Sequence, residues 1–180
     1  PCVSSTYFVK QNGSTLVDGW FHTGDIFKEK HDHYYIIDRK KEIYKNSRGQ
    51  TISPQNIENM FQDFDGIKSA FLVGDGLEFN TLLIYSEPDS RPMDISNASL
   101  VTIREYYSSL LQSVNSFLAP FERVINFAII LRYFNSDYEL TPKRTYNRTQ
   151  ISKNFHELLN LMHEKNHINL SYKNYQLHIP

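Results

Sequence analysis

The clearest hydrophobic pattern in the sequence lies within residues 100–118. Apolar side chains recur there at every third or fourth position, a spacing that predicts one face of a helix of about five turns. Pro120 ends this predicted helix, because proline cannot continue the backbone hydrogen bonding. A shorter stripe of the same spacing follows Ser53 and Pro54, two residues that favour a helix start. A last helix is predicted over residues 149–163.

Runs of apolar, β-branched and aromatic residues between these helices predict strands. They cover residues 34–37, 42–45, 67–74, 80–86 and 124–131. The first two flank a charged run at residues 38–41 and predict a β-hairpin with a charged tip. The alternation of strands and helices indicates an α+β domain, with a mostly antiparallel central sheet of about three strands flanked by about three helices. A further strand is predicted at residues 3–10.

The composition narrows the classes of protein to consider. The chain of 180 residues is 40% hydrophobic and 22% charged, which is typical of a globular domain. Its net charge of −1 creates no field that would attract nucleic acid or an anionic membrane. The 12 tyrosines and 12 phenylalanines fit either a packed core with a tyrosine-tipped surface or a stacking platform for bases. The first interpretation is favoured.

The cysteine and histidine residues give no sign of a metal or disulfide framework. Cys2 is the single cysteine, and the seven histidines are scattered without the spacing of a zinc site. The sequence also shows no signal peptide and no apolar run of the roughly 20 residues that a membrane span needs. We therefore expect a protein of a reducing compartment, without bound metal or an integral membrane segment. The start at Pro1 suggests a fragment or a processed product.

Five segments of the chain together carry a resemblance to a known family. Residues 19–25 read GWFHTGD, residues 36–43 read IIDRKKEI, and residues 47–58 read SRGQTISPQNIE. The segments at 114–122 and 139–142 follow in the order and spacing seen in long-chain acyl-CoA synthetases. The chain resembles the C-terminal lid domain of the adenylate-forming superfamily, closest to its long-chain fatty-acid branch.

The resemblance implies an ATP-dependent acid–CoA ligase as the parent protein. Such enzymes convert a carboxylate into an acyl-adenylate with release of pyrophosphate, and the thiol of CoA then displaces AMP. ATP and CoA are the implied cofactors, with Mg²⁺ held mainly by ATP and by the N-terminal domain. The implied partners are that missing N-terminal AMP-binding domain and a fatty acid or other carboxylic acid. No nucleic-acid partner is implied.

The resemblance also divides the chain. Residues 1–37 correspond to the truncated end of the N-terminal domain, residues 38–165 to the lid, and residues 166–180 to a tail. Because the phosphate-binding loop and the acyl pocket belong to the N-terminal domain, we expect the fragment alone to be inactive. We expect a cytoplasmic parent, with peripheral membrane association if its substrate is a long fatty acid.

Two residues are implied to bind the nucleotide. Asp25 would accept hydrogen bonds from the two ribose hydroxyls, or it simply caps a turn. Arg39 would reach the ribose or the α-phosphate, or it forms a salt bridge to Asp38. Lys41 matches the position of the hinge about which the lid swings between the two half-reactions. The alternative for the lysines at this point is a solvated hairpin tip.

The loop that includes Ser47, Arg48 and Gly49 corresponds to the one that lines the thiol tunnel. Gly49 would let the backbone pass close to the pantetheine. Many family members carry glycine where Arg48 stands, so this chain departs from the pattern. Arg48 would pair with a phosphate of CoA, or it is an ordinary surface arginine.

The catalytic lysine of the family lies in the loop before the last helix and contacts the substrate carboxylate. In the long-chain pattern the aligned position is Thr145, and the nearest lysine is Lys143. Lys143 takes the catalytic role if the loop is shifted. Alternatively, Lys143, Arg144 and Arg148 form a basic patch over the nucleotide phosphates.

Two other functions remain open at this point. The parent could hand its acyl-adenylate to the phosphopantetheine of a carrier protein, since the lid residues are shared with such adenylation domains. The chain could also be a non-catalytic interaction module that keeps the fold. The altered thiol loop and the displaced lysine favour the module, whereas Asp25 and Arg39 favour an enzyme.

Overall fold

The computed structural model of the protein describes residues 16–17, 20–86, 100–130, 132–164, 170–172 and 175–178. The strands are β1 (Leu16–Val17), β2 (Trp20–Phe21), β3 (Asp25–Lys30), β4 (His33–Arg39), β5 (Tyr44–Lys45), β6 (Thr51–Ile52), β7 (Ser69–Val73), β8 (Asn80–Tyr85), β9 (Val124–Ile130), β10 (Leu170–Tyr172) and β11 (Tyr175–His178). The helices are α1 (Pro54–Asn59), α2 (Leu100–Asn115), α3 (Arg148–Asn154) and α4 (His156–Glu164). The strand predicted at residues 3–10 lies outside the described residues.

The hairpin near the beginning of the chain is formed by β3 and β4, which pair antiparallel. His31 and Asp32 connect them with backbone φ angles of 52° and 57°, the left-handed geometry of a tight hairpin turn. The prediction that residues 34–37 pair with residues 42–45 was therefore wrong. Neither turn residue is a glycine, so the usual sequence signal of such a turn is missing. Tyr44 and Lys45 pair instead with β6.

The central sheet has five strands in the order β10-β11-β9-β8-β7. Its neighbours are antiparallel except for β8 and β9, which run parallel. A parallel pair needs a long crossover, and α2 lies in the connection between these two strands. The predicted α+β fold with a mostly antiparallel sheet is confirmed. The two strands nearest the C-terminus extend it beyond the three strands that the sequence predicted.

Both faces of the sheet are covered, which explains the continuous apolar runs of its strands. Alternate residues point to opposite sides. Leu72, Leu82 and Phe127 pack in one core with α1 and α2, while Phe71, Leu83 and Ala128 pack in a second core with α3 and α4.

The helices follow the predicted pattern with two adjustments. The long amphipathic helix ends at Asn115 rather than near residue 118. The helix predicted over residues 149–163 is interrupted at Phe155, whose φ of −100° and ψ of 11° separate α3 from α4. None of the helices in the described part of the chain has the length and hydropathy of a membrane span.

Candidate functional site

Asp25 and Arg39 face each other across the β3–β4 hairpin, as partners in its register. The Arg39 Nε lies 3.3 Å from the Asp25 Oδ1, and the Arg39 side chain is 65% exposed. Gly24 precedes the pair at φ +78°, and its carbonyl accepts a hydrogen bond of 2.7 Å from the Lys40 N–H. The loop that carries Asp25 is thereby fixed against the turn that follows Arg39. The two side chains meet at the surface, where Arg39 is exposed and Asp25 is half-buried.

A salt bridge to Asp38 was one of the two predicted alternatives for Arg39. The Asp38 carboxylate does not pair with the Arg39 guanidinium. This carboxylate is buried and accepts a hydrogen bond of 2.7 Å from the Arg39 backbone N–H. The Ser53 hydroxyl donates to the same carboxylate at 2.6 Å, and the Gln55 N–H donates at 3.3 Å. Asp38 therefore connects the end of β4 to the start of α1.

The hinge candidate, Lys41, is exposed in the turn that follows β4. The N–H groups of Glu42 and Ile43 both donate to the Arg39 carbonyl, at 2.8 and 3.2 Å, and close this turn. The hinge candidate thus lies between the β3–β4 hairpin and the strand β5 that follows it.

Lys143 occupies a tight turn in the loop between Leu140 and Tyr146. The Arg144 N–H donates to the Thr141 carbonyl at 2.7 Å, and Arg144 has a φ of +61°. The Thr141 N–H donates to the Thr145 carbonyl at 2.8 Å, and the two threonine hydroxyls are also 2.8 Å apart. This double closure leaves the Lys143 side chain exposed at the tip. Thr145, the aligned position, is held at the base of the turn.

A cavity of about 450 Å³ brings Arg39 and Lys143 together. Its lining contains five basic and two acidic side chains, namely Arg39, Lys68, Lys143, Arg144, Arg148, Glu42 and Glu58. Ser69 and Tyr146, whose hydroxyls are 2.6 Å apart, also contribute. Burial raises the pKa of Tyr146 to about 12, so its hydroxyl stays protonated at neutral pH. The excess of positive charge suits an anionic ligand.

Both carboxylates of the cavity are bound by Arg148, at the start of α3. Its Nη2 lies 2.7 Å from the Glu58 Oε2 and its Nε lies 3.0 Å from the Glu42 Oε2. The Glu58 Oε1 accepts a further bond of 2.7 Å from the Leu72 N–H. Burial raises the pKa of Glu58 and Arg148 opposes this effect. The guanidinium also lies over the Phe71 ring, 5.1 Å from its centroid.

Glu139 is fully buried and stabilises the loop that carries Lys143. Its carboxylate accepts two bonds of 2.7 Å from Arg132, one of 2.6 Å from the Asn135 N–H and one of 2.7 Å from Asn154. The Glu139 carbonyl accepts the Asn147 N–H at 2.8 Å. Burial alone raises the pKa of Glu139, but the hydrogen bonds from Arg132 and its other donors outweigh it and lower that pKa.

The loop containing Ser47, Arg48 and Gly49 is built around the side chain of Asn46. The Asn46 Oδ1 accepts the N–H groups of Arg48 and Gln50 at 3.1 and 2.9 Å. Gly49 has a φ of +78°, which favours glycine, and the Ser47 N–H donates to the Leu77 carbonyl at 2.9 Å. The loop is therefore well ordered by its own contacts.

Arg48 forms an exposed pair with Glu78, in which the Nη2 and the Oε1 are 3.4 Å apart. Among the described residues that line the Lys143 cavity, none comes from the loop at Ser47, Arg48 and Gly49. The structure thus brings Asp25, Arg39 and Lys143 into one region and leaves the thiol-loop candidates outside the cavity.

Sequence reasoning missed the buried polar contacts that support these candidates. Glu58 and Arg148 are 90 positions apart, and no local pattern links them. The one available signal of a buried carboxylate was Glu58, which directly follows Ile57 on an apolar helix face. Asp38 and Glu139 likewise gave no sign that they would be buried.

The chain is similar in sequence to a known family and to known proteins. A family model described as AMP-binding enzyme C-terminal domain matches residues 42–167. Fatty acyl-CoA synthetase A of Dictyostelium discoideum is 28% identical over 166 residues, which cover 81% of this chain and 25% of that protein. Long-chain-fatty-acid–CoA ligase 1 of Homo sapiens is 29% identical over 153 residues, which cover 77% of this chain and 22% of that protein. The chain thus spans a quarter or less of these relatives.

Solved structures show the same fold. The adenylation domain of a carboxylate reductase from Mycobacterium chelonae has a TM-score of 0.71 at 19% identity, and the match covers 82% of this chain and 24% of that chain. The o-succinylbenzoate CoA synthetase of Bacillus subtilis, in complex with its acyl-adenylate intermediate, has a TM-score of 0.58 at 16% identity, with 81% and 27% covered. The resemblance predicted from the five sequence segments is confirmed.

Proposed function

The chain belongs to the family of AMP-binding enzyme C-terminal domains, and we propose that it is the lid of an ATP-dependent acid–CoA ligase that acts on fatty acids. The named functions of the human and Dictyostelium relatives support a fatty acid as the substrate and CoA as the acceptor. We also propose that residues 1–37 end an upstream AMP-binding domain, that residues 38–165 form the lid and that residues 166–180 follow it. Residues 38–40 of this lid precede the proposed pivot at Lys41 and stay with the β3–β4 hairpin. The 180-residue chain alone is expected to be inactive.

The hairpin pair supplies the proposed nucleotide contacts. The Asp25 carboxylate is an acceptor-only group that can take hydrogen bonds from both ribose hydroxyls at once. The Arg39 guanidinium presents a fork of donors that matches ribose and phosphate oxygens. In their existing ion pair the Arg39 side chain is 65% exposed and the Asp25 side chain is 24% exposed. Water therefore screens the arginine side of the pair, and a nucleotide can replace the contact at low cost. Their position on adjacent paired strands fixes their separation before the nucleotide binds.

The turn at Lys143 supplies the proposed positive charge for carboxylate activation. Negative charge accumulates on the carboxylate and the α-phosphate in the transition state, and a fixed cation nearby lowers its energy. Lys143 is held at the tip of a doubly closed turn on the cavity that Arg39 also lines. Arg144 adds a second cation to the same rim.

The remaining candidates belong to the second half-reaction. We propose that Lys41 is the pivot of the lid and that the loop of Ser47, Arg48 and Gly49 lines the path of the thiol. Mg²⁺ would be held mainly by ATP and by the upstream domain. Mg²⁺ would screen the phosphate charge, while this chain's own residues position ribose and carboxylate.

One observation carries the proposal, namely that Arg39 pairs with Asp25 on one side and shares a cavity with Lys143 on the other. The test uses the full-length protein and measures fatty-acid-dependent exchange of pyrophosphate into ATP. We expect Asp25→Ala and Lys143→Ala to lower exchange by about 100-fold or more, as loss of a transition-state contact does. Lys153→Ala removes an exposed lysine of α3 and serves as the control. A wild-type protein without exchange would refute the proposal, and full activity of Lys143→Ala would refute the role of that lysine.

The acceptor thiol has an alternative in the phosphopantetheine of a carrier protein. The A-PCP didomain of a carboxylic acid reductase from Segniliparus rugosus shares the fold, with a TM-score of 0.67 at 17% identity over 81% of this chain and 21% of that chain. Release of AMP from a preformed acyl-adenylate distinguishes the two acceptors. Release with free CoA supports the ligase, whereas release only with a pantetheinylated carrier protein supports the alternative.

A further inference from the structure

The turn that contains Lys41 is tied to its surroundings on both sides. Upstream, the Lys40 N–H donates to the Gly24 carbonyl at 2.7 Å, and both residues belong to the hairpin side. Downstream, Glu42 is bound by Arg148 at 3.0 Å, and both residues belong to the lid side. A backbone rotation at Lys41 can leave these two contacts intact, because each lies wholly on one side of the pivot.

The side-chain contacts of Asp38 differ, because they cross the pivot and reach a helix outside the turn. Within the turn itself, the Glu42 and Ile43 N–H groups also cross the pivot, to the Arg39 carbonyl. Asp38 lies on β4, upstream of Lys41, while Ser53 and Gln55 lie downstream at the start of α1. The Ser53 hydroxyl and the Gln55 N–H bind the Asp38 carboxylate at 2.6 and 3.3 Å. A rotation that moves the hairpin relative to the lid has to break these bonds and expose a carboxylate that is now 1% exposed.

Ser53 is available for this contact because it does not cap its own helix. It occupies the N-cap position of α1, where a serine side chain usually accepts a backbone N–H of the first turn. Here the Ser53 side chain makes no such bond, and the Gln55 N–H is taken by Asp38 instead. The helix start is thus completed by a residue from the other side of the hinge.

The residues that line the cavity identify the orientation of the hairpin relative to the lid that these bonds hold. Arg39 follows Asp38 directly, and it lines the same cavity as Lys143. In the proposed function these two residues act together when the carboxylate is activated. Among the described lining residues of that cavity, none belongs to the thiol loop at Ser47, Arg48 and Gly49. Under the proposed function, the observed arrangement is therefore the one that serves carboxylate activation.

We propose that Asp38 and Ser53 are positioning residues that hold the lid in the orientation for carboxylate activation. Their hydrogen bond opens when the lid turns to the orientation for thiol transfer. This inference rests on the proposed function. It assigns a role in the choice between half-reactions to two residues that contact neither the nucleotide nor the thiol in that proposal.

The first experiment measures the two half-reactions separately in the full-length protein. Ser53→Ala is expected to lower fatty-acid-dependent pyrophosphate exchange by about tenfold, the effect of one hydrogen bond to a charged group. Release of AMP from a preformed acyl-adenylate by CoA is expected to stay unchanged or become faster. Ser53→Thr restores the hydroxyl and should restore exchange. Ser116→Ala, which removes an exposed hydroxyl at the end of α2, should change neither rate.

An equal loss in both half-reactions would overturn the inference, because a merely structural role predicts it. Unchanged exchange in Ser53→Ala would overturn it as well.

The second experiment reads the orientation of the lid without any activity. Spin labels at Glu29 on the hairpin and Gln112 on α2, both exposed, report the hairpin-to-lid distance in the full-length protein. We expect a dominant distance in the wild type and a second, populated distance in Ser53→Ala. An identical distribution in both proteins overturns the positioning role. A new distance in Ser53→Ala in a protein that lacks pyrophosphate exchange supports the orientation contact and refutes the ligase function instead.

Discussion

Two arginine–carboxylate pairs line or border the same cavity, and they differ in burial. Arg148 is 19% exposed and Glu58 is 3% exposed, and the pair is joined to β7 and lies over an aromatic ring. Arg39 is 65% exposed and Asp25 is 24% exposed, and their contact is longer, at 3.3 Å. The buried pair is fixed by its surroundings and joins α1 to α3. The exposed pair is loosely held, so it can exchange its internal contact for a ligand.

The largest expected effect follows from breaking the buried pair. Arg148→Ala leaves the Glu58 carboxylate buried without its counter-ion, which costs about 3–5 kcal/mol in the free energy of unfolding. Denaturant unfolding of the chain measures this loss. Arg39→Ala is the matched control and should change the same quantity by less than about 1 kcal/mol. Equal losses in the two variants would show that the burial difference has no energetic consequence.

The next largest effect is expected at Glu139, a second buried carboxylate. Its pKa shifts in the opposite direction from that of Glu58. Glu139→Gln keeps the shape of the side chain but weakens its bonds to Arg132 and Asn154, which costs about 2–3 kcal/mol at neutral pH. The pKa of Glu139 is lowered in the folded protein. Its charge therefore stabilises the fold above the unfolded pKa of about 4.3, and this contribution is lost as the pH falls through the folded pKa.

The measurement is the difference in unfolding free energy between wild type and Glu139→Gln as a function of pH. The difference should be constant between about pH 6 and 8 and should shrink below about pH 4. A difference that grows in acid would contradict the assigned direction of the pKa shift.

The smallest effect is expected at the most exposed pair. Arg48 and Glu78 have side chains that are 71% and 72% exposed. Arg48→Ala should change the free energy of unfolding by no more than about 0.5 kcal/mol. Thermal unfolding checks this value, with Arg148→Ala as the contrasting variant. A loss comparable to that of Arg148→Ala would mean that exposure does not distinguish structural pairs from replaceable ones.

The sequence predicted the elements that depend on local patterns. Each of these elements is signalled by residues within one short segment. They are the apolar stripe of α2, the start of α1 at Ser53 and Pro54, and the three apolar strands of the central sheet. The sequence misassigned the partner of residues 34–37, because the turn at His31 and Asp32 lacks glycine. It also missed β10 and β11. These strands are stabilised by pairing, β11 with β9 and β10 with β11, rather than by a hydrophobic pattern of their own.

The same distinction holds for the site. The motif segments pointed to Asp25, Arg39 and Lys143, and the fold brings these three into one region. The supporting contacts could not be predicted, because they join distant positions. The Asp38–Ser53 bond spans 15 residues and the Arg148–Glu58 bond spans 90. Tertiary packing decides which buried charges become partners. The hydrophobic pattern of the sequence carries no information about that pairing.

In the proposed function the pair of Asp25 and Arg39 serves a nucleotide rather than the fold. The most direct measurement is fatty-acid-dependent pyrophosphate exchange by full-length Arg39→Ala, taken together with its free energy of unfolding. We predict that exchange falls by about 100-fold or more while the stability changes by less than about 1 kcal/mol. Wild-type exchange in this variant, or a loss of exchange that merely follows a loss of folded protein, would contradict this role of Arg39.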